Sequence, residues 1–111
     1  MIQQNLYQRM SKIMLNAKQR AYLKRLAHPL KACFQIGKEG LNDNLRIDVL
    51  NYLNKHELVK ISILNNSSVT LDEAIAFFSE VDIELVQKIG HIVVLYKHST
   101  AINEPIILPV K

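Results

Sequence analysis

At 111 residues, 49% of them apolar, the chain is long enough for one domain with its own core, too short for two, and in no need of covalent staples. A single cysteine excludes an internal disulfide, and the start Met1-Ile-Gln-Gln-Asn-Leu6 has no long apolar stretch behind it, which argues against a signal peptide or membrane span and for a cytoplasmic protein. The formal net charge of +4 is segregated: residues 1–60 carry eleven Lys or Arg against four Asp or Glu, residues 61–111 three against six, so the first half is built for a polyanion.

Residues 1–14 mix Gln, Asn, Met, Leu and Tyr with Arg9 and Lys12, and read as a loose or partly helical extension with Met14 as an alternative start. Asn16 is placed to cap a helix. Its apolar residues Leu15, Tyr22, Leu23, Leu26, Ala27 and Leu30 recur at intervals of three, four and seven, until Pro29 limits the helix. At about 100° per residue, Lys18, Arg20, Lys24, Arg25 and Lys31 fall on the side away from that stripe. One face enters the core and the other is a row of cations. His28 sits where a partial positive charge suits the helix C-terminus.

Ala32–Ile36 reads as a short strand, with Cys33 a small buried hydrophobe in it. Gly37-Lys38-Glu39-Gly40 follows as a turn, and Asn42 or Asp43 starts a second helix that turns Leu45, Val49, Leu50 and Leu53 inward and ends near Lys55-His56. Leu58–Leu64 alternates around Lys60 and Ser62, the period-two pattern of a half-buried strand. Asn65-Asn66-Ser67-Ser68 is loop chemistry. A third helix from about Thr70 to Ser79 presents Leu71, Ala74, Ile75 and Phe78 inward, with Thr70 and Glu73 spaced as a capping box.

Ile83–Ile89 and His91–Lys97 are two strands hinged at Gly90. The tail from Ser99 to Lys111 carries Ile106-Ile107-Leu108 between Pro105 and Pro109, which favour an edge strand or a docked extended segment. The order helix, strand, helix, strand, helix, strand, strand predicts a compact single α/β domain over residues 15–111, with helices packed on a small mixed sheet of about four strands.

Two glycines separated by two residues, between a strand and a helix, suit the holding of an anion. Glycine lets the backbone approach a ligand closely, and the helix that follows offers unpaired N–H groups and the positive end of its dipole. In KH domains a loop of this kind clamps the nucleic-acid backbone. Here Gly37 and Gly40 shape the turn, Lys38 adds a charge-assisted contact to phosphate, and Glu39 opposes it unless it points to solvent or pairs with a cation. An RNA binder is the reading that joins this loop to the cationic helix.

Other chemistries find little purchase. His28, His56, His91 and His98 form no metal-ligand spacing with Cys33 or with one another, and no nucleophile-elbow or Walker-type segment is present, so neither a cofactor nor an enzyme is expected. His56-Glu57, at the start of a strand, reads as structural. Tyr7, Tyr22, Tyr52, Tyr96, Phe34, Phe77 and Phe78 fall mostly on inward faces. Readout by shape and phosphate contact therefore fits better than base recognition on an aromatic platform.

Ala17–Lys31 (AKQRAYLKRLAHPLK), Gln35–Leu41 (QIGKEGL), His56–Lys60 (HELVK), Val86–Gly90 (VQKIG) and Val94–Lys97 (VLYK), in this order and spacing, resemble the bacterial YhbY proteins. These are stand-alone CRM domains, named for chloroplast RNA splicing and ribosome maturation. The resemblance covers about residues 15–111 and leaves 1–14 outside. It implies a fold similar to the C-terminal domain of translation initiation factor three. It also implies RNA binding through Gly37, Lys38, Glu39 and Gly40 with the adjoining basic surface, and association with ribosomal RNA in precursors of the large subunit. Relatives often have an uncharged polar residue at Glu39, and some place a glycine within the Val81-Asp82 segment. A monomer is expected. The alternatives are an RNA binder with a non-ribosomal target, and a protein-interaction module that donates Ile106-Ile107-Leu108 to a partner's sheet edge.

Overall fold

The computed structural model describes residues 15–102 and 105–109; the extension 1–14, with Tyr7 and the start at Met14, lies outside them. Seven elements follow the expected order: α1 (Ala17–Ala27), β1 (Phe34–Ile36), α2 (Asp43–His56), β2 (Leu58–Ile63), α3 (Leu71–Ser79), β3 (Glu84–Ile89) and β4 (Ile92–Tyr96). They form a four-stranded sheet of order β1-β2-β4-β3, with β1 parallel to β2 and the other pairs antiparallel. The parallel pair requires a crossover, which α2 supplies.

Each helix starts on a local signal. Asn16 Oδ1 accepts from the Gln19 N–H at 2.8 Å while Gln19 Oε1 accepts from the Asn16 N–H, a reciprocal cap that opens α1. Thr70 and Glu73 do the same for α3. Between Asn42 and Asp43, Asn42 is the cap of α2, its Oδ1 accepting from the Leu45 N–H at 2.8 Å.

Both faces of the sheet are covered. On one, α2 and α3 bring Val49, Leu53, Ala74 and Phe78 against Ile36, Val59, Ile61, Val93 and Leu95. On the other, Leu23 and Ala27 of α1 meet Leu58, Val86, Val94 and Tyr96, and Ile106 and Leu108 of the tail pack beside them. The tail is thus the docked extended segment of the two forms expected. Its described residues form no strand.

Three expectations need correction. The alternation of Leu58–Leu64 identifies a strand, but not a half-exposed one: Ser62 is only 8% exposed and Lys60 is half-buried, on the same face as Leu58, which packs against α1 and the tail. Lys60 Nζ turns that position to use, donating to the carbonyls of His28 and Leu30 at 3.3 and 2.8 Å, just past α1. Cys33 is exposed, not buried. It precedes the three-residue β1, an edge strand whose Phe34 and Ile36 face the core, so period two sends Cys33 and Gln35 outward. The thiol lies 3.1 Å from Tyr52 Oη and, with burial, pushes that phenol up to about 12. Finally, Leu26 and Leu30 are 37% and 43% exposed, because α1 rests on β2 and β3 along the narrower line of Leu23 and Ala27.

Positive φ marks the sharp reversals. Gly90 (φ +57) turns the β3–β4 hairpin, and Asp82 (φ +63) turns the chain from α3 into β3. Tyr96 closes the sheet: its burial, then the charges of Glu57 and Glu84, push its phenol up from 10.0 to about 12. Because the folded-state value lies above the unfolded one, its contribution to stability is intact below pH 10 and lost as pH rises toward 12. Tyr96→Phe is expected to flatten the fall in urea-unfolding free energy over that interval.

Candidate nucleic-acid interface

The turn between β1 and α2 is closed by the Gly40 N–H donating to the Gly37 carbonyl at 3.1 Å, with Lys38 and Glu39 exposed at its tip. The two glycines differ. Gly40 has φ +71, a conformation that side-chain-bearing residues rarely adopt, so the turn itself requires it. Gly37 has no such angle, and a Cβ there would meet Leu64 Cδ1 at 3.5 Å and Asn66 Oδ1 at 3.7 Å, ordinary contacts. Nothing in the fold demands a glycine at position 37.

Beneath the turn is a cavity of about 500 Å³, lined by the four turn residues together with Gln35, Asn42, Asn44, Leu45, Asp48 and Leu64. The lining holds one cation, Lys38, against the carboxylates of Glu39 and Asp48. Glu39 points to solvent and makes no ion pair among the described residues.

The expected cationic row is present with one departure. Lys18, Lys24, Arg25 and Lys31 are exposed, and none has an ion pair among the described residues. The Arg25 guanidinium lies 5.7 Å from the centre of the Tyr22 ring. Arg20 leaves the row: its guanidinium turns to β3, donating to Glu84 Oε2 at 3.2 Å and to the Leu85 carbonyl at 3.3 Å. The cause is Glu84, partly buried at the start of β3, which also accepts the Leu15 N–H at 2.8 Å. Burial raises the Glu84 carboxyl, and the Leu15 N–H and Arg20 offset part of that rise. Arg46 is engaged as well, with Glu80 at 2.7 Å and the Phe77 ring at 3.8 Å. The row and the turn do not share one cleft, since no residue of α1 lines the cavity.

Glu57, which the sequence reads with His56 as structural, ties down more of the chain than its spacing shows. It ends α2 with φ +65 and is fully buried. Its carboxylate accepts the N–H groups of Ser99 at 2.7 Å and Ile106 at 2.6 Å, with His98 Nδ1 at 3.1 Å. This one side chain anchors both ends of the tail's return path. Gln19 Nε2 donates to the Pro109 carbonyl at 3.0 Å and holds the far end against α1. The one signal in the sequence was a lone acid directly before an apolar strand. Ile107 alone of the tail's apolar run points away, 81% exposed. Among the described residues no group of three or more His, Cys, Asp or Glu is placed to hold a metal ion, and no helix is long and apolar enough to cross a membrane.

A small α/β domain with a mixed four-stranded sheet and a two-glycine turn feeding its crossover helix defines the class. Within it, the chain belongs to the CRS1 / YhbY (CRM) domain family, whose model matches residues 15–97. The chain is similar to the Bacillus subtilis (strain 168) protein named "Probable RNA-binding protein YqeI", 41% identical over 97 residues that span 86% of this chain and 100% of that one. It is also similar to a Haemophilus influenzae protein named "RNA-binding protein", 38% identical over 86 residues, covering 77% of this chain and 87% of the relative. Among solved structures, a Staphylococcus aureus protein described as "a putative RNA binding protein" superposes with a TM-score of 0.66 at 37% identity, over 86% of this chain and 100% of that one.

Proposed function

We propose that this protein is a monomeric, non-catalytic RNA binder of the cytoplasm. It associates with ribosomal RNA in precursors of the large subunit, holds backbone phosphate at Gly37–Gly40 and draws RNA in with the cations of α1. The observation that carries the reading is Gly37, a glycine that neither backbone angle nor packing calls for, at the mouth of a turn that opens onto a helix N-terminus. In this reading the missing Cβ keeps the space beside Leu64 and Asn66 free, so that a phosphate can come close to the turn's backbone. The names of the relatives support RNA as the partner, and the ribosomal target follows from the YhbY resemblance. The tail reading has less support, because Ile106 and Leu108 are already packed on the domain's own core.

On a sucrose gradient at low salt, the protein at native levels is expected to comigrate with particles near the large subunit and to leave them at high salt. Gly37→Ala is expected to move it to the top of the low-salt gradient with its melting temperature nearly unchanged. Gly40→Ala is expected to lose about 1 kcal/mol of stability. A parent protein that stays at the top in both gradients would sink the ribosomal reading.

A further inference from the structure

The cavity beneath the turn is too acidic for the phosphate that the turn above it is suited to hold. Asp48 lies in its wall, and Lys38 at the exposed tip is its one cation. What remains is a slot with polar and apolar walls. Leu45 and Leu64, both half-buried, provide apolar surface of the kind a flat ring packs against. Asn44 and Asp48 stand one helical turn apart on α2, so an amide and a carboxylate share one face of the helix and one wall of the slot.

We infer that this cavity is a base-reading pocket for an unstacked guanine, taken from a single-stranded loop or bulge beside the clamped phosphate. The assignment follows from the donors and acceptors on the base edges. A carboxylate only accepts hydrogen bonds, and it accepts two side by side. Guanine alone presents two adjacent donors on its pairing edge, N1–H and N2–H, next to the acceptor O6. Asp48 takes the two donors and the Asn44 amide donates to O6. Uracil places its one N–H between two carbonyls, and cytosine and adenine each set a ring-nitrogen acceptor beside their amino group. Every other base therefore turns at least one lone pair toward the Asp48 carboxylate, a repulsive element that discriminates as strongly as the attractive one. Recognition by shape and phosphate alone would not need this wall.

The inference rests on the RNA-binding reading, and its test separates the two. Fluorescence anisotropy of the full chain is measured with labelled short oligouridine RNAs that carry one central guanosine, inosine, adenosine or cytidine. Inosine lacks only the N2 amino group. The parent is expected to bind the guanosine RNA about tenfold more tightly than the inosine RNA. Asp48→Asn, at an exposed position on α2, is expected to erase that ratio while leaving affinity for plain oligouridine at least as high. Gly37→Ala is expected to weaken all the RNAs alike. Equal affinity of the parent for every oligonucleotide would overturn the pocket and leave RNA binding standing. A guanosine preference that survives in Asp48→Asn would also overturn it. A parent that binds none of them would overturn both readings.

Discussion

Glu57→Ala is expected to cost about 3–5 kcal/mol of unfolding free energy in urea, a large share of what a domain of this size has to lose. The side chain is fully buried, and it is the acceptor for two backbone N–H groups that are 7 residues apart, Ser99 and Ile106. Removing it leaves both donors without a partner beneath the tail, and releases Ile106 and Leu108 from the surface of Leu58, Val94 and Tyr96 that they cover. Glu57→Gln keeps the shape and one acceptor oxygen but loses the charge-assisted bonds, and is expected to fall about 2 kcal/mol short of the parent. Glu57→Gly is the control for the backbone. At φ +65 glycine regains about 1 kcal/mol relative to alanine, so it should lie slightly above Glu57→Ala and well below the parent. Amide exchange at Ser99 and Ile106 should accelerate in all three. If Glu57→Gly matched the parent instead, the residue would matter for its angle and the tail would be held by packing alone.

The contrast between Glu57 and the helix caps shows which parts of this fold were legible in the sequence. Asn16 with Gln19 and Thr70 with Glu73 act within one turn of chain, so spacing alone places the starts of α1 and α3. The order of elements, the Gly90 hairpin and the Gly37–Gly40 turn are local in the same sense. What periodicity did not reveal depends on distant partners. Arg20 leaves the cationic row because it shares the line of Leu23 and Ala27 that α1 turns to the sheet, where Glu84, 64 residues away in sequence, meets it. Ser62 is buried because the sheet's second face is covered as well as the first, and Cys33 gains solvent because it precedes an edge strand whose core-facing residues are Phe34 and Ile36. The same division runs through the candidate site. The turn could be read from four consecutive residues, whereas the cavity under it is assembled from Gln35 before the turn, Asp48 on α2 and Leu64 after β2.

The double charge reversal Lys24→Glu with Arg25→Glu is expected to abolish RNA binding at physiological salt while leaving the domain folded. Both side chains are exposed in the last turn of α1, where neither takes part in an ion pair among the described residues, so the core line of Leu23 and Ala27 is untouched. The structural penalty is the loss of the Arg25 contact with the Tyr22 ring and the placing of two acids at the negative end of the helix dipole, about 1–2 kcal/mol in all. Circular dichroism and a melting curve would show it as a modest shift. The expected binding penalty is of another order, because in the proposed reading the change removes two phosphate partners and installs two repulsive charges. Each neutralised phosphate contributes about 0.7 to the slope of log K against log salt on a single strand and about 0.9 on a duplex. Neutralising both side chains instead, with Lys24→Gln and Arg25→Gln, should therefore flatten that slope by about 1.4–1.8 and retain weak binding at low salt. Gly37→Ala acts differently. The added methyl blocks a close approach without removing a cation, so it should lower affinity at every salt concentration and leave the slope nearly unchanged. The two signatures separate attraction by α1 from the clamp at the turn. A doubly reversed variant that bound as tightly as the parent would remove α1 from the interface and leave the turn to hold RNA alone.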